Sequence, residues 1–143
     1  VSLHAANDEL RDELVPINRR YPIAVLMEAC DEYLDIKGRR LSFEWALISG
    51  VNDRNRDASE LAELCHARRL PAHVNLIPLN PTPGYEVRGS SRIQVHAFRD
   101  RLEALGVNAT VRQNRGTDIA AACGQLAAGQ PVRLTARDQR DSK

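Results

Sequence analysis

The sequence predicts an α/β fold built on a parallel sheet. Segments rich in strand-forming residues alternate with segments of helical periodicity, which is typical of strands joined by crossover helices. Each of the first three predicted strands is followed by a loop richer in polar residues, at residues 4–7, 49–53 and 80–84. A closed eight-stranded barrel needs about 250 residues. The 143 residues of this chain therefore predict only an arc of such a barrel.

Four segments have the composition of strands. The first, VSLHA at residues 1–5, resembles a strand entered part-way and has no initiator Met, so we expect the chain to be a piece of something longer. The other three are RLSFEWALI at 40–48, AHVNLIPLN at 72–80 and NATVRQ at 108–113.

Helical patterns fill the first two connections. A polar, loosely helical segment, NDELRDELVP, is closed by Pro16. A helix follows Pro22 and ends at Gly38, with its apolar residues at helical spacing: Ile23, Leu26, Cys30 and Leu34. A second helix is predicted from about Asp57 to Arg69, with one apolar face formed by Leu61, Leu64 and Cys65.

Two further helices are predicted in the last third of the chain. Ser91 and Gln94 form a capping box for a helix that stops at Gly106 and buries a row of apolar residues: Ile93, Phe98, Leu102 and Leu105. Thr117 and Asp118 cap a short helix that carries Cys123. From Gln130 onward the chain is polar and is expected to be disordered.

Composition excludes several classes of protein. Hydrophobic residues make up 43% and charged residues 27% of the chain, which is typical of a soluble globular protein. The apolar runs are too short to cross a bilayer, and no signal-peptide pattern is present, so we expect a cytoplasmic location and no membrane partner. A net charge of +1 does not predict a general attraction to nucleic acid, DNA included.

The three cysteines do not form a recognisable framework. Cys30, Cys65 and Cys123 are widely spaced and include no C-x-x-C pair, which argues against disulfides and a zinc knuckle. We interpret Cys30 and Cys65 as core thiols on helix faces. From the residues alone, Cys123 is either a small apolar plug among alanines or a reactive thiol.

Polar residues near strand ends are the candidate ligand contacts. Ser2 and His4 share one face of the first predicted strand, and Asn80 ends the third strand with both a donor and an acceptor. Each has a structural alternative, as a satisfied interior pair or a loop-capping amide. Glu44 and Asp53 are interpreted as structural. No metal-site spacing connects the remaining histidines, which are His66, His73 and His96.

Three blocks carry a family resemblance. They are VSLHAANDELRDELVPINRRYP, NLIPLNPTPG and RGTDIAAACGQLA, in this order. Over residues 1–128 the chain resembles the carboxyl-terminal half of the RlmN/Cfr family of radical-SAM rRNA adenine-C2 methyltransferases, and most closely its RlmN branch. The resemblance implies a (β/α)6 partial TIM barrel, made here of its last strands and helices plus a carboxyl-terminal extension.

The resemblance also implies a site. Ser2, Leu3, His4 and Asn80 would bind S-adenosylmethionine, and a [4Fe–4S] cluster would lie at the same mouth of the barrel. Cys123 would be S-methylated and would then pass a one-carbon unit to adenine, with release through a disulfide to a second cysteine. Substrates of the family are 23S rRNA and, for the RlmN branch, tRNA; the arginines near Arg88–Arg92 and Arg112–Arg115 would hold RNA phosphates.

The chain departs from the family pattern in several respects, because the cluster motif, the resolving cysteine, the upstream Gly-Glu segment that contacts S-adenosylmethionine and the amino-terminal RNA-binding domain are all absent from it. It contains no C-x-x-x-C-x-x-C, so the cluster ligands are expected in a missing amino-terminal half, and the fragment is expected to be inactive alone. We divide it into the barrel portion at 1–106, a strand and methyl-carrying segment at 107–128, and a tail at 129–143. The alternatives are a non-catalytic gene remnant and another S-adenosylmethionine- or phosphate-binding barrel protein in which Cys123 only packs.

Overall fold

The computed structural model describes residues 1–67, 72–81, 84 and 86–113. Its elements, in chain order, are α1 (Asp8–Leu14), a 3-10 helix (Pro16–Arg19), α2 (Ile23–Lys37), β1 (Leu41–Leu47), α3 (Asn55–Ala67), β2 (Ala72–Pro78), α4 (Arg92–Ala104) and β3 (Asn108–Val111). Strands and helices thus alternate as the sequence predicts.

The three strands form one parallel sheet in the order β1-β2-β3. On the other side of β1, Ser2 forms a parallel bridge with Glu44, so the first residues extend the same sheet. The spatial order follows the chain order without reversal, whereas a doubly wound fold reverses its strand order at a switch point. This arrangement is that of an arc of a (β/α) barrel and confirms the predicted parallel α/β class.

One face of the sheet carries the core. Alternate residues of β1 are buried completely or nearly so: Leu41, Phe43, Trp45 and Leu47. Buried residues from α2, α3 and α4 join the same cluster, and the rings of Trp45 and Phe98 lie 5.8 Å apart between centroids. The opposite face carries Glu44, Asn75 and Thr110, which are partly buried or exposed. The helices therefore cover one face, as they do on the outside of a barrel.

Several element ends have the predicted cause. Gly38 caps α2 with a φ of 60°, a left-handed conformation that glycine adopts at little cost. The Ser91 side chain caps α4 by accepting from the Gln94 backbone N–H. The reciprocal half of the capping box does not form, because the Gln94 side chain donates instead to the Asp53 carbonyl.

Two expectations were wrong, one about a strand and one about a side chain. The first segment is not a regular strand, because His4 has a φ of 60° and its pairing with β1 is limited to an isolated bridge. Ile93 was assigned to the buried face of α4 but is 85% exposed. It lies about 140° around the helix from Phe98, and Val95 occupies the core position in its place.

Candidate functional site

The backbone of residues 2–4 is held by side chains from two other elements. The buried Arg11 side chain of α1 donates from Nε to the Leu3 carbonyl at 3.1 Å and from Nη2 to the Ser2 carbonyl at 3.2 Å. Asn52, in the loop after β1, donates to the His4 carbonyl at 2.9 Å. All three consecutive carbonyls are thereby occupied, and the conformation of this short segment is set by its surroundings.

Arg11 reaches these carbonyls because a second polar group anchors it. Its Nη1 donates to Oδ1 of the buried Asn18 at 2.6 Å, and Asn18 donates in turn to Asp8 and Asp12. Burial lowers the pKa of Arg11, and the nearby carboxylates of Asp8 and Asp12 oppose that shift. The guanidinium charge is thus compensated by two carboxylates through one bridging amide.

Asn52 is fully buried and uses both ends of its amide. Its Nδ2 donates to the carbonyls of His4 and Ala46 at 2.9 and 2.8 Å, and its Oδ1 accepts from the Ile48 N–H at 2.8 Å. Its own carbonyl accepts from the Trp45 indole at 3.1 Å. Asn52 therefore joins the first segment to the carboxyl end of β1.

The His4 ring is fixed as well. Its Nδ1 accepts from the Ala46 N–H at 3.0 Å, so in this arrangement the ring proton lies on Nε2. Burial lowers the pKa of His4; the Arg11 charge lowers it further, and Glu44 opposes both effects. These effects favour a neutral imidazole with Nε2–H as its donor.

Polar side chains cross the face opposite the helices in one register. Ser2 is bridged to Glu44, Glu44 is in register with Asn75, and Asn75 with Thr110. His73 approaches the Thr110 hydroxyl with Nε2 at 2.8 Å. In a barrel arc this face lines the interior, and the sequence analysis did not anticipate this row.

Asn80 lies at the same edge of the sheet as His4, since both follow the carboxyl ends of parallel strands. The His4 ring binds Ala46, whose register partner is Ile77, three residues before Asn80. Asn80 is partly buried and lines a cleft of about 910 Å³ between the ends of β2 and β3 and the helix α4. Arg92, His96 and Arg112 line this cleft too.

The described cysteines are core residues. Cys30 and Cys65 are each 4% exposed and belong to the apolar cluster, which confirms their interpretation. Burial raises the pKa of both thiols, that of Cys65 to about 11. Cys123 lies outside the described residues, as do Thr117, Asp118 and Arg115.

The remaining charged candidates have structural partners or no common site. Asp53 is buried, accepts from the Gly50 N–H and from the Ser90 hydroxyl, and is structural as expected. His66 contacts the Leu105 carbonyl with Nε2 at 2.6 Å. Over the described part of the chain, no group of three or more His, Cys, Asp or Glu side chains is placed to hold a metal ion.

Arg11, Asn18 and Asn52 were not predicted as site residues. A signal for the first was present, because Asp8, Arg11 and Asp12 share one face of α1 by their i, i+3 and i+4 spacing. Asn52 gave no such signal. It lies two residues after Gly50 in the turn segment GVND, and an asparagine there is typical of any turn. The one of its three side-chain hydrogen bonds that joins distant segments, to the His4 carbonyl, spans 48 residues.

Known proteins resemble this arrangement closely. A radical SAM methyltransferase from Sphaerobacter thermophilus superposes with a TM-score of 0.82 at 55% identity, over 87% of this chain and 36% of that one. A domain of the pyruvate-formate lyase-activating enzyme from Bacteroides vulgatus superposes with a TM-score of 0.61 at 16% identity, over 78% of this chain and 65% of that one. The second likeness concerns the fold alone. No family model matches the chain.

Curated relatives agree with the first of these structures. A probable dual-specificity RNA methyltransferase RlmN from Pelotomaculum thermopropionicum is 55% identical over 126 residues, which are 88% of this chain and 34% of that protein. The dual-specificity RNA methyltransferase RlmN of Anaeromyxobacter dehalogenans is 52% identical over 140 residues, 95% of this chain and 37% of that protein.

The sequential parallel sheet and these likenesses define the class as the radical-SAM type of partial (β/α) barrel. Within that class, the chain belongs to the RlmN family and matches its carboxyl-terminal part. The chain spans about a third of the length of the curated relatives that it matches.

The length and apolar character of the helices bear on whether any of them could span a membrane. Within the residues described, no helix is both long enough and apolar enough to span a bilayer.

Proposed function

We propose that this chain is the carboxyl-terminal part of an RNA methyltransferase that transfers a methyl group from S-adenosylmethionine to C2 of adenosine in 23S rRNA and tRNA. The observation that carries the proposal is its 51–58% identity, over about nine tenths of its length, to proteins described as RlmN RNA methyltransferases. The amino-terminal remainder of the enzyme is its necessary partner.

The organisation that we propose for the chain has three parts. Residues 1–106 form the last part of the partial barrel, residues 107–128 supply a final strand and the cysteine segment, and residues 129–143 form a polar tail. Of the second and third parts, the structure describes only residues 107–113.

Ser2, Leu3, His4 and Asn80 would hold S-adenosylmethionine. These residues fit the ligand, because the carboxylate, ribose and adenine of S-adenosylmethionine need hydrogen-bond donors and acceptors on a fixed backbone. Their position fits as well, because ligands of parallel α/β folds bind at the carboxyl ends of the strands. The Ser2 side chain is exposed, and its backbone and that of His4 are held from behind by Arg11 and Asn52. The bound ligand supplies the methyl group.

The described residues do not fit an iron–sulfur cluster. Cluster ligands are thiolates, whereas the thiols of Cys30 and Cys65 are buried among apolar side chains and their pKa values are raised. The cluster of the proposed enzyme therefore needs ligands from the amino-terminal remainder.

Cys123 is the proposed carrier of the one-carbon unit. The C2 atom of adenine is electron-poor, because it lies between two ring nitrogens, and it is a poor nucleophile toward a sulfonium methyl group. A thiolate is a good one. A cysteine that is methylated first would hold the one-carbon unit within reach of adenine, and the radical chemistry that the cluster and a second S-adenosylmethionine would supply enables that unit to add to C2.

Arginines around the cleft beside α4 are proposed to contact RNA phosphates. Arg92 and Arg112 line the cleft, and Arg88 is exposed just before α4. Arginine presents a planar fork of donors that matches phosphate oxygens. Arg99 also lines the cleft, but its guanidinium is paired with Asp100 at 2.6 Å, so Arg92 and Arg112 are the better candidates.

The test uses a joined enzyme, in which this chain is fused to the amino-terminal part of the Pelotomaculum thermopropionicum relative. Purified from cells, it should methylate C2 of adenosine in both RNAs, as measured by mass spectrometry of nucleosides. Peptide mass spectrometry should find an S-methyl group on Cys123. Cys123→Ala should lower the methylation rate by at least about 1,000-fold, as loss of a covalent catalyst does.

Cys65→Ala is the matched control. It removes a thiol of the same chain, but one that is buried in the core, so it should cost about 1 kcal/mol of stability and leave the rate within about threefold. Full activity of Cys123→Ala, or an unmodified Cys123 in an enzyme that methylates RNA, would refute the assigned role.

A further inference from the structure

Asn52 connects the candidate ligand-binding segment to the rest of the sheet. Its amide bridges the carbonyl of His4 and the carbonyl of Ala46, while its oxygen holds the Ile48 N–H. These groups belong to two chain segments more than 40 residues apart. A fully buried side chain with three hydrogen bonds, all to backbone, is rigid and leaves no polar atom for a ligand of its own.

The residue that it holds has an unusual backbone. His4 has a φ of 60° and is, among the described residues, the one non-glycine residue with positive φ. A branched or aromatic side chain in this region costs of order 1 kcal/mol or more and persists where its surroundings enforce it. The bond from Asn52 to the His4 carbonyl and the bond from the Ala46 N–H to the His4 ring are two such constraints.

The two bonds together set the donor that the ring presents. With Nδ1 accepting from Ala46, the neutral ring carries its proton on Nε2. No group among the described residues forms a hydrogen bond with that Nε2. The charged side chains that act on the ring are Glu44, which raises its pKa, and Arg11, which lowers it. Nε2–H is left to donate to an acceptor outside the described protein groups.

We propose that Asn52 is a positioning residue for S-adenosylmethionine: it holds His4 in the left-handed conformation in which the ring presents Nε2–H to an acceptor atom of the ligand. The proposal rests on the proposed function, which assigns this ligand to Ser2, Leu3, His4 and Asn80. Asn52 itself does not touch the ligand.

Asparagine suits this position better than similar side chains, because it has both a donor and an acceptor at the right length. Aspartate would keep the acceptor for Ile48 but would set a carboxylate against the two carbonyls of His4 and Ala46. Serine is too short to reach three backbone groups, and glutamine adds a methylene in a site that is fully buried. None of these side chains serves all three backbone groups as asparagine does.

The test compares Asn52→Ala and Asn52→Ser with Asp53→Asn in the joined enzyme. Asp53 is the matched control, because it is buried in the same loop but bonds Gly50 and Ser90 rather than the first segment. With S-adenosylmethionine as the titrant, the Asn52 variants should raise KM and the dissociation constant by about 10-fold or more, the effect of one lost hydrogen bond to a charged or polar ligand. Their kcat at saturating ligand should stay within about threefold of wild type.

A spectroscopic readout keeps the proposal testable if the Asn52 variants fail to fold. In wild-type joined enzyme labelled with ¹⁵N-histidine, the resonances that disappear in His4→Gln identify His4. They should show an Nε2–H tautomer above pH 7, and the Nε2 resonance should shift on addition of S-adenosylmethionine. An Nδ1–H tautomer, or an unchanged Nε2 resonance in a ligand-bound enzyme, would overturn the proposal.

The outcomes separate the two proposals. If wild-type joined enzyme does not bind S-adenosylmethionine, the proposed function fails and the role of Asn52 fails with it. If wild type binds the ligand and the Asn52 variants bind it as Asp53→Asn does, only the role of Asn52 fails. A fall in kcat with unchanged KM would also count against positioning of this ligand.

Discussion

The two cysteines that the structure describes, Cys30 and Cys65, share one chemical setting. Cys30 and Cys65 lie on the core faces of α2 and α3, where burial disfavours the thiolate and raises the pKa. A thiol needs its thiolate form to act as a nucleophile. The two core cysteines are therefore poor competitors for the role proposed for Cys123.

The rate of alkylation tests whether Cys30 and Cys65 are buried, unreactive thiols. With a pKa of about 11 for Cys65, roughly 0.1% of this thiol is ionised at pH 8, and its burial blocks access. In folded joined enzyme at pH 8, iodoacetamide should modify Cys30 and Cys65 at least about 100-fold more slowly than in denaturant, as followed by peptide mass spectrometry. Modification of Cys65 in the folded protein at the rate of a free cysteine would contradict this assignment.

At the scale of the element, different residues of α4 cap the helix and pack it against the core. Ser91 caps the helix through its hydroxyl, and Val95, Phe98 and Leu102 are its buried face. Ile93, two residues after the cap, contacts solvent with 85% of its surface. A helix that looks uniformly amphipathic in sequence thus has one apolar residue that contributes nothing to the core.

Two substitutions test whether the cap at Ser91 stabilises the protein more than the exposed side chain of Ile93 does. Ser91→Ala removes the side-chain acceptor for the Gln94 N–H and should lower the free energy of unfolding by about 1 kcal/mol. Ile93→Ser, two positions away, should change it by no more than about 0.5 kcal/mol, because the side chain is exposed already. Urea unfolding of joined enzyme measures both. Equal losses for the two variants would show that the cap contributes no more than the exposed position.

At the scale of the whole molecule, the sheet is incomplete within the described residues. β3 pairs on one side with β2, and the first segment pairs on one side with β1. Unpaired strand edges bind other strands, and the face that carries Glu44, Asn75 and Thr110 lies opposite the helices. In a complete barrel these surfaces are interior or paired.

The isolated chain should therefore associate with itself. Produced without an amino-terminal partner, it should elute as oligomers or aggregates at about 10 μM, as measured by size-exclusion chromatography with light scattering, whereas joined enzyme should not. A monomer of the isolated chain that melts cooperatively would contradict this expectation.

Much of the fold was predictable because its signals are local. Gly38 ends α2, Ser91 begins α4, and alternation in LSFEWAL marks a strand buried on one face. The core cysteines were predictable for the same reason, since their helical spacing places them beside other apolar residues. The parallel class followed from the alternation of strands and helices.

The candidate site was predictable only through resemblance to a family. Ser2, Leu3, His4 and Asn80 were named in this way, and their role as ligand contacts stays a prediction. The left-handed backbone of His4 was not predictable, because nothing in SLHA specifies it. Ile93 was misplaced because periodicity over a few residues does not distinguish two faces that both carry apolar side chains.

By itself, the sequence determined the order of the helices and strands, the parallel α/β class and core residues such as Cys30, Leu61 and Cys65, since these depend on local propensity and on spacing along one chain. Only the tertiary structure decided the backbone conformation of residues 2–4. Their conformation depends on hydrogen bonds from Arg11 and Asn52. Such bonds form after distant segments have packed, and a buried amide or guanidinium satisfies whichever carbonyls the fold places beside it.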